Sequence, residues 1–121
     1  MTKAKMTLLH ITKTFNLQVV CGEEFLDREI ANGYAGDLLS DVIANTEEGD
    51  LWITLQVHLN IVAVAVMKDL SGIILIGGRK PEEETLVKAQ SENMPVLTTP
   101  LPAFELAGRL YSLGITGIKD A

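Results

Sequence analysis

Two short, uninterrupted apolar runs, Leu51–Leu55 and Ile73–Ile76, constrain this chain more than anything else in it. Both have the length of a strand, and most of their residues are of strand-favouring types. A run without polar alternation has no side to turn to water, so each must be covered on both faces, as central parallel strands are. Parallel neighbours cannot be joined by a tight turn; they need a crossover of about a dozen residues. The segment between them, Asn60 and then Ile61 to Leu70, is β-branched and by propensity alone would pass for a strand. Its position between two buried strands makes it the crossover helix. A helix apolar all round must be buried, in the core or at an interface, so it is also the strongest pointer to self-association.

The same alternation extends in both directions. Gly77-Gly78 ends the second run. Pro81 suits the first helical position, and Glu82, Glu83 and Glu84 fill a first turn that favours negative charge. That helix runs to about Glu92, and Pro95–Thr98 follows as a strand. Pro102 opens a last helix, with Phe104, Ala107, Leu110 and Tyr111 expected on its buried face and Gly114 at its end. Ile115–Ala121 reads as a tail. Upstream, Thr7 caps a helix to Phe15 with Leu8, Ile11 and Phe15 on one side, and Leu17–Val20 is a strand ending at Cys21-Gly22. Asp27–Gly36 holds two glycines and few apolar anchors and reads as an irregular edge segment. Asp37 is placed as the N-cap of a helix with the stripe Leu38, Leu39, Val42 and Ile43, ending near Asn45, and Glu48-Gly49-Asp50 is a turn. The expected architecture is one α/β domain over residues 1–121. It has three layers, a mostly parallel central sheet with helices on both faces, and right-handed crossovers.

Composition removes several functions. The chain has 121 residues and a formal net charge of −6, and its ten lysines and arginines are scattered, without a basic stripe. Nucleic acid and anionic membrane surfaces are therefore poor partners. Apolar residues make up 47% of the chain, which leaves apolar surface for a partner. Cys21 is the only cysteine, so no internal disulfide forms, and a reducing, cytoplasmic setting is expected. Met1–Met6 carries lysines but no long apolar run follows, so no signal peptide is read there. The longest apolar run, Ile61–Met67, is far short of the roughly 20 residues that span a bilayer.

From Gly49 to Gly114 the chain resembles the DRTGG family. The phrases that carry the likeness are Gly49-Asp50-Leu51-Trp52-Ile53-Thr54, Ile61-Val62-Ala63-Val64-Ala65, the run Gly72 to Pro81, and Met94-Pro95-Val96-Leu97-Thr98-Thr99. It extends more loosely back to Met6, through Val19-Val20-Cys21-Gly22 and Gly33-Tyr34-Ala35-Gly36-Asp37. The resemblance implies a fold similar to the N-terminal domain of HPr kinase/phosphorylase, and a non-catalytic regulatory or dimerising role. Such domains stand beside phosphotransacetylase catalytic domains and CBS pairs, and some stand alone. Here Val57-His58 occupy the family's Asp-Arg positions, Ile76 stands for its Thr, and only Gly77-Gly78 of the name-giving letters remain.

Ligands of open α/β sheets sit at the carboxyl ends of the strands. Three loops are expected to meet there: Gln56 to Asn60, Gly77 to Lys80, and Thr99 to Leu101. The candidate ligand-binding residues are Gln56, His58, Asn60, Gly77, Gly78 and Arg79. The glycine pair lets backbone come close to an anion, the helix behind it offers N–H groups, and Arg79 and Lys80 add charge. His58, in place of the family's Arg, is a weak cation near neutral pH. A second reading is a tight strand-to-helix turn with solvated cations and a solvated or packed His58. Pro81 removes one donor, and the three glutamates repel an anion. The loop Gly33–Asp37 lines a site or dimer seam on one reading and is a plain connector on another. Neither a P-loop nor a G-x-G-x-x-G is present. No metal-ligand spacing, cofactor motif or catalytic nucleophile–base pair is legible. The expectation is a homodimeric, non-enzymatic module for a small anionic metabolite, or else a docking subunit of a metabolic enzyme.

Overall fold

Side chains alternate across a strand, and that alternation sorts the core of this protein into two halves. In the computed structural model residues 6–118 are described. Leu51, Ile53, Ile74, Ile76 and Leu97 face one way, and Trp52, Ile73, Leu75 and Val96 the other. They belong to β3 (Leu51–Thr54), β4 (Gly72–Leu75) and β5 (Val96–Thr98) and the residues just after them. With β1 (Gln18–Cys21) and β2 (Gly33–Ala35) these make a five-stranded sheet in the order β1-β5-β4-β3-β2. β2 to β5 run parallel, and β1 pairs antiparallel with β5.

The first face is covered by α1 (Leu8–Phe15) and α5 (Ala103–Leu113), which contribute Leu8, Ile11, Leu106 and Leu110. The second is covered by α2 (Leu39–Asn45), α3 (Asn60–Met67) and α4 (Glu83–Ser91) through Val42, Ile61, Val62, Ala65 and Ala89. This is the three-layer α/β architecture expected, with every residue of β3 and β4 buried. Thr7 caps α1 as expected, its hydroxyl accepting from His10 N–H at 3.2 Å. Trp52 is fully enclosed and donates from Nε1 to the Gly36 carbonyl at 2.8 Å.

Several local assignments change. The segment read as irregular contains β2, which pairs with β3 at Gly33, Tyr34 and Ala35. It is an edge strand with no fully buried residue, so it carries no apolar run to announce it. Asp37 does not cap α2: the helix starts at Leu39, and no side chain caps it. Instead the Asp37 carboxylate crosses to β3. Of the stripe assigned to α2 only Val42 is buried, and Leu38 is 67% exposed. Pro81 lies before α4 rather than in its first turn, with Glu82 at the N-cap. On α5 the buried pair is Leu106 and Leu110; Phe104 is 92% and Tyr111 60% exposed. α3 is buried on one side only, at Ile61, Val62, Val64 and Ala65, and turns Val66 and Met67 outward.

Part of the assigned tail belongs to the core. Ile115 is buried, and Thr116 O accepts from Gly33 N–H at 2.8 Å along the outer side of β2. The last three residues of that tail, and Met1–Lys5 of the amino-terminal segment, lie outside the described residues. No helix among the described residues is long and apolar enough to cross a membrane.

Candidate ligand site

The carboxyl ends of the parallel strands form one rim of the sheet, and the chain crosses it at Gly36-Asp37, Leu55–Asn60, Gly77–Lys80 and Thr99–Leu101. Because β1 is antiparallel, its amino end, Asn16 to Gln18, arrives at the same rim beside β5. The rim divides into two regions of different chemistry.

The first region is tied up internally. Asp37 Oδ1 accepts from the Thr54 hydroxyl at 2.7 Å and from Leu55 N–H at 2.7 Å. Gln56 Nε2 donates to the Asp37 carbonyl at 2.8 Å, and Gln56 N–H to the Thr54 hydroxyl at 3.1 Å. His58 Nδ1 accepts from Asn60 N–H at 3.2 Å, which starts α3. The Val57 carbonyl accepts from the Thr85 hydroxyl at 2.7 Å and from Glu82 N–H at 3.2 Å. Gln56, His58 and Asn60 therefore hold a loop in shape, and none of them lines the cleft described next. Beside them the Tyr34 hydroxyl donates to the Asp41 carboxylate, which also accepts from Asn45 Nδ2 at 2.9 Å. The bond to Asp41 pushes the Tyr34 pKa up to about 12.

The second region is a cleft of about 450 Å³, lined by Asn16, Leu17, Gln18, Gly78, Arg79, Lys80, Thr98, Thr99 and Pro100. Gly77 and Gly78 both take positive φ, 65° and 74°, which glycine adopts without strain. Their N–H groups are occupied: Gly77 donates to Leu101 O at 2.8 Å, Gly78 to Thr99 O at 3.0 Å, and Arg79 to Ile76 O at 3.2 Å. The glycine turn thus shapes the loop and does not present these N–H groups to an anion. What it does present is side chains. Arg79 and Lys80 are exposed, neighbouring, and held by no ion pair among the described residues, whereas Lys88 and Arg109 are engaged by Glu92 and Glu105. No carboxylate lines the cleft. Of the six residues expected from sequence, the fold brings Gly78 and Arg79 to this cleft, with Gly77 adjoining. Sequence reasoning missed Asn16, Leu17, Gln18 and Thr98, because nothing in the residues announces that β1 reverses direction and delivers its amino end here.

Elsewhere the chemistry is quiet. Burial pushes the Cys21 thiol up, with a smaller upward push from Glu24, partly opposed by a backbone hydrogen bond from Val96. That thiol donates to the Met94 carbonyl at 3.4 Å. Among the described residues no group of three His, Cys, Asp or Glu is arranged to hold a metal ion.

The family model of the DRTGG domain matches residues 10–113. The chain belongs to the DRTGG-domain family. The matched span runs from α1 to the end of α5 and so takes in both regions of the rim. In this DRTGG chain Ile76, just before the glycine pair, is buried against the α1–α5 side of the sheet. Among solved structures the chain is similar to the CBS and DRTGG domains of the regulatory region of Clostridium perfringens pyrophosphatase, complexed with its activator diadenosine tetraphosphate. The identity is 24% and the TM-score 0.66. The similarity covers 94% of this chain and 51% of that one, so this chain spans about half the length of that neighbour. A comparison with curated proteins finds no match.

Proposed function

We propose that this chain is a non-catalytic regulatory module that binds a small anionic metabolite in the Arg79–Lys80 cleft and works as a homodimer. One observation carries the ligand reading: two adjacent cations, with no ion pair among the described residues, line a concavity without carboxylates in a chain of net charge −6. Such an arrangement favours an anion of phosphate or carboxylate type, with Thr98, Gln18 and Asn16 available to hydrogen-bond its polar body. The cleft volume lies within the range usual for metabolite sites. The neighbouring regulatory region is complexed with a nucleotide activator, which supports phosphate-bearing ligands as the first to try. The self-association reading now rests on α5, where Phe104 and Tyr111 stand in solvent while Glu105 and Arg109 neutralise each other at 3.0 Å. The alternative, a subunit that acts only when docked to a metabolic enzyme, is favoured by the outward apolar residues of α3 and α4.

The test is a thermal-shift and calorimetric screen of inorganic phosphate, acetyl phosphate, ATP, diadenosine tetraphosphate and small carboxylates. A ligand at a hundredfold excess over its Kd should stabilise the fold by about 2.7 kcal/mol. Arg79→Ala and Lys80→Ala should each abolish that shift while leaving the ligand-free melting point in place. Hits that survive both substitutions, or no hit at all, overturn the ligand reading. A monomer mass that is independent of concentration overturns the dimer.

A further inference from the structure

The net charge of this protein is not spread over it. Residues 38–70 and 82–92, which hold α2, α3 and α4 together with β3 and the connections around it, contain nine of the sixteen carboxylates and two of the ten cations. That is a balance of −7, against +1 for the remainder of the chain. The same layer carries outward apolar side chains: Leu38 and Ile43 on α2, Val66 and Met67 on α3, and Val87 on α4. Val87 is also part of a groove of about 470 Å³ on the outer side of α4, lined by Leu59, just before α3, and by Glu83, Glu84, Val87, Lys88 and Ser91 of α4. Lys88 is drawn to Glu92 at 3.5 Å, while Glu83 and Glu84 are exposed at the other end of the lining.

We propose that this groove docks a basic amphipathic helix of a protein partner. One apolar side chain of that helix sits over Leu59 and Val87, and an Arg or Lys one turn away meets Glu83 and Glu84. The spacing follows from the groove: Glu83 and Glu84 precede Val87 on α4 by four and three residues, so apolar and acidic points lie one helical turn apart. An amphipathic helix repeats at the same interval and matches it with an i, i+3 or i, i+4 pair. Charge selects among occupants. A second copy would bring another balance of −7 against the first, and an anionic lipid surface would be repelled in the same way. A cationic helix is attracted, and burying the aliphatic stem of its Arg or Lys adds apolar contact. This surface lies on the opposite side of the sheet from α5, and its proposal does not depend on the ligand cleft.

The experiment uses the full chain and two labelled helical peptides of about 14 residues with the same leucines, one carrying arginines and the other glutamates one turn from them. Binding is read by anisotropy and mapped by amide chemical shifts. The arginine peptide should bind and shift amides of Leu59 and of α4 around Val87. Its affinity should fall about tenfold or more in Glu83→Lys/Glu84→Lys and in Val87→Asp, as for a contact at the centre of an interface. The glutamate peptide should bind at least as poorly. Glu23→Lys/Glu24→Lys makes the same charge change elsewhere and should alter affinity less than about twofold, after correction for long-range attraction. Equal loss in that control, shifts mapped away from the groove, or unchanged binding in Val87→Asp overturns the proposal. So does a wild-type dimer that Val87→Asp dissociates, which would assign the groove to a second copy, and so does binding to anionic vesicles.

Discussion

Replacing Gly22 by alanine should cost far more than replacing Gly78, although both residues have positive φ, 85° and 74°. Either alanine takes a left-handed conformation that costs an L-residue about 1–2 kcal/mol. A lower entropy of the unfolded chain returns about 0.4–1 kcal/mol of this. At Gly78 nothing lies within 4 Å of the added Cβ, so the net loss should be about 1 kcal/mol. At Gly22 the Cβ would stand 2.6 Å from Pro95 Cα and 3.0 Å from Pro95 N, both backbone atoms. Forcing a methyl against packed backbone adds about 1–3 kcal/mol, for a total of about 2–4 kcal/mol. For a chain of this size about 4 °C of melting temperature follows each kcal/mol. Gly78→Ala should therefore melt about 4 °C lower and Gly22→Ala about 8–16 °C lower. Urea unfolding followed by the fluorescence of Trp52, the only tryptophan and fully buried, gives both free energies under one set of conditions. Equal losses at the two sites would refute the close approach of the β1 end to Pro95, and with it the placement of β1 beside β5.

Two further outcomes are expected. The neutral Tyr34 hydroxyl donates to Asp41, and its pKa is raised to about 12, so the stabilisation is complete below the unfolded value of about 10 and is lost as pH rises through 12. The stability gap between wild type and Tyr34→Phe, measured by urea unfolding, should be constant up to about pH 10 and then shrink; a gap that widens there would refute this account. Asp37→Ala strips acceptors from the Thr54 hydroxyl and Leu55 N–H and should cost about 1–2 kcal/mol. A double-mutant cycle with Thr54→Val should show coupling above about 0.5 kcal/mol, and strict additivity would count against the link.

What the sequence made legible was whatever the core dictates. Leu51–Leu55 and Ile73–Ile76 have no polar side, and that alone demands a covered parallel pair, a crossover helix at Asn60 and the layers around them. Features that depend on distant partners did not show. β2 is an edge strand whose residues carry no apolar period, and Asp37 in front of a helical stripe has the pattern of an N-cap while its partner lies on β3. On α5 the aromatics Phe104 and Tyr111 mark the helix as amphipathic, yet Leu106 and Leu110 are the pair that reach the sheet. The proposed cleft was half legible for the same reason. Gly78 and Arg79 follow from the rule that strand ends bind ligands, but Asn16 and Gln18 come from a strand whose direction no local residue encodes.

The two margins of the sheet are finished differently, and this bears on how copies of the protein can stack. Along β2 the chain's own carboxyl-terminal segment occupies the outer side, with Gly33 N–H bonded to Thr116 O and Asn32 Nδ2 donating to the Thr116 hydroxyl and Ile118 O. Along β1 the register jumps between Val19 and Cys21, a bulge that bends and twists the strand. Growth of a fibre by edge-to-edge pairing needs a flat, open margin at each end of the repeating unit. Here one margin is filled from within and the other is warped. Open-ended growth through the sheet margins is thereby disfavoured.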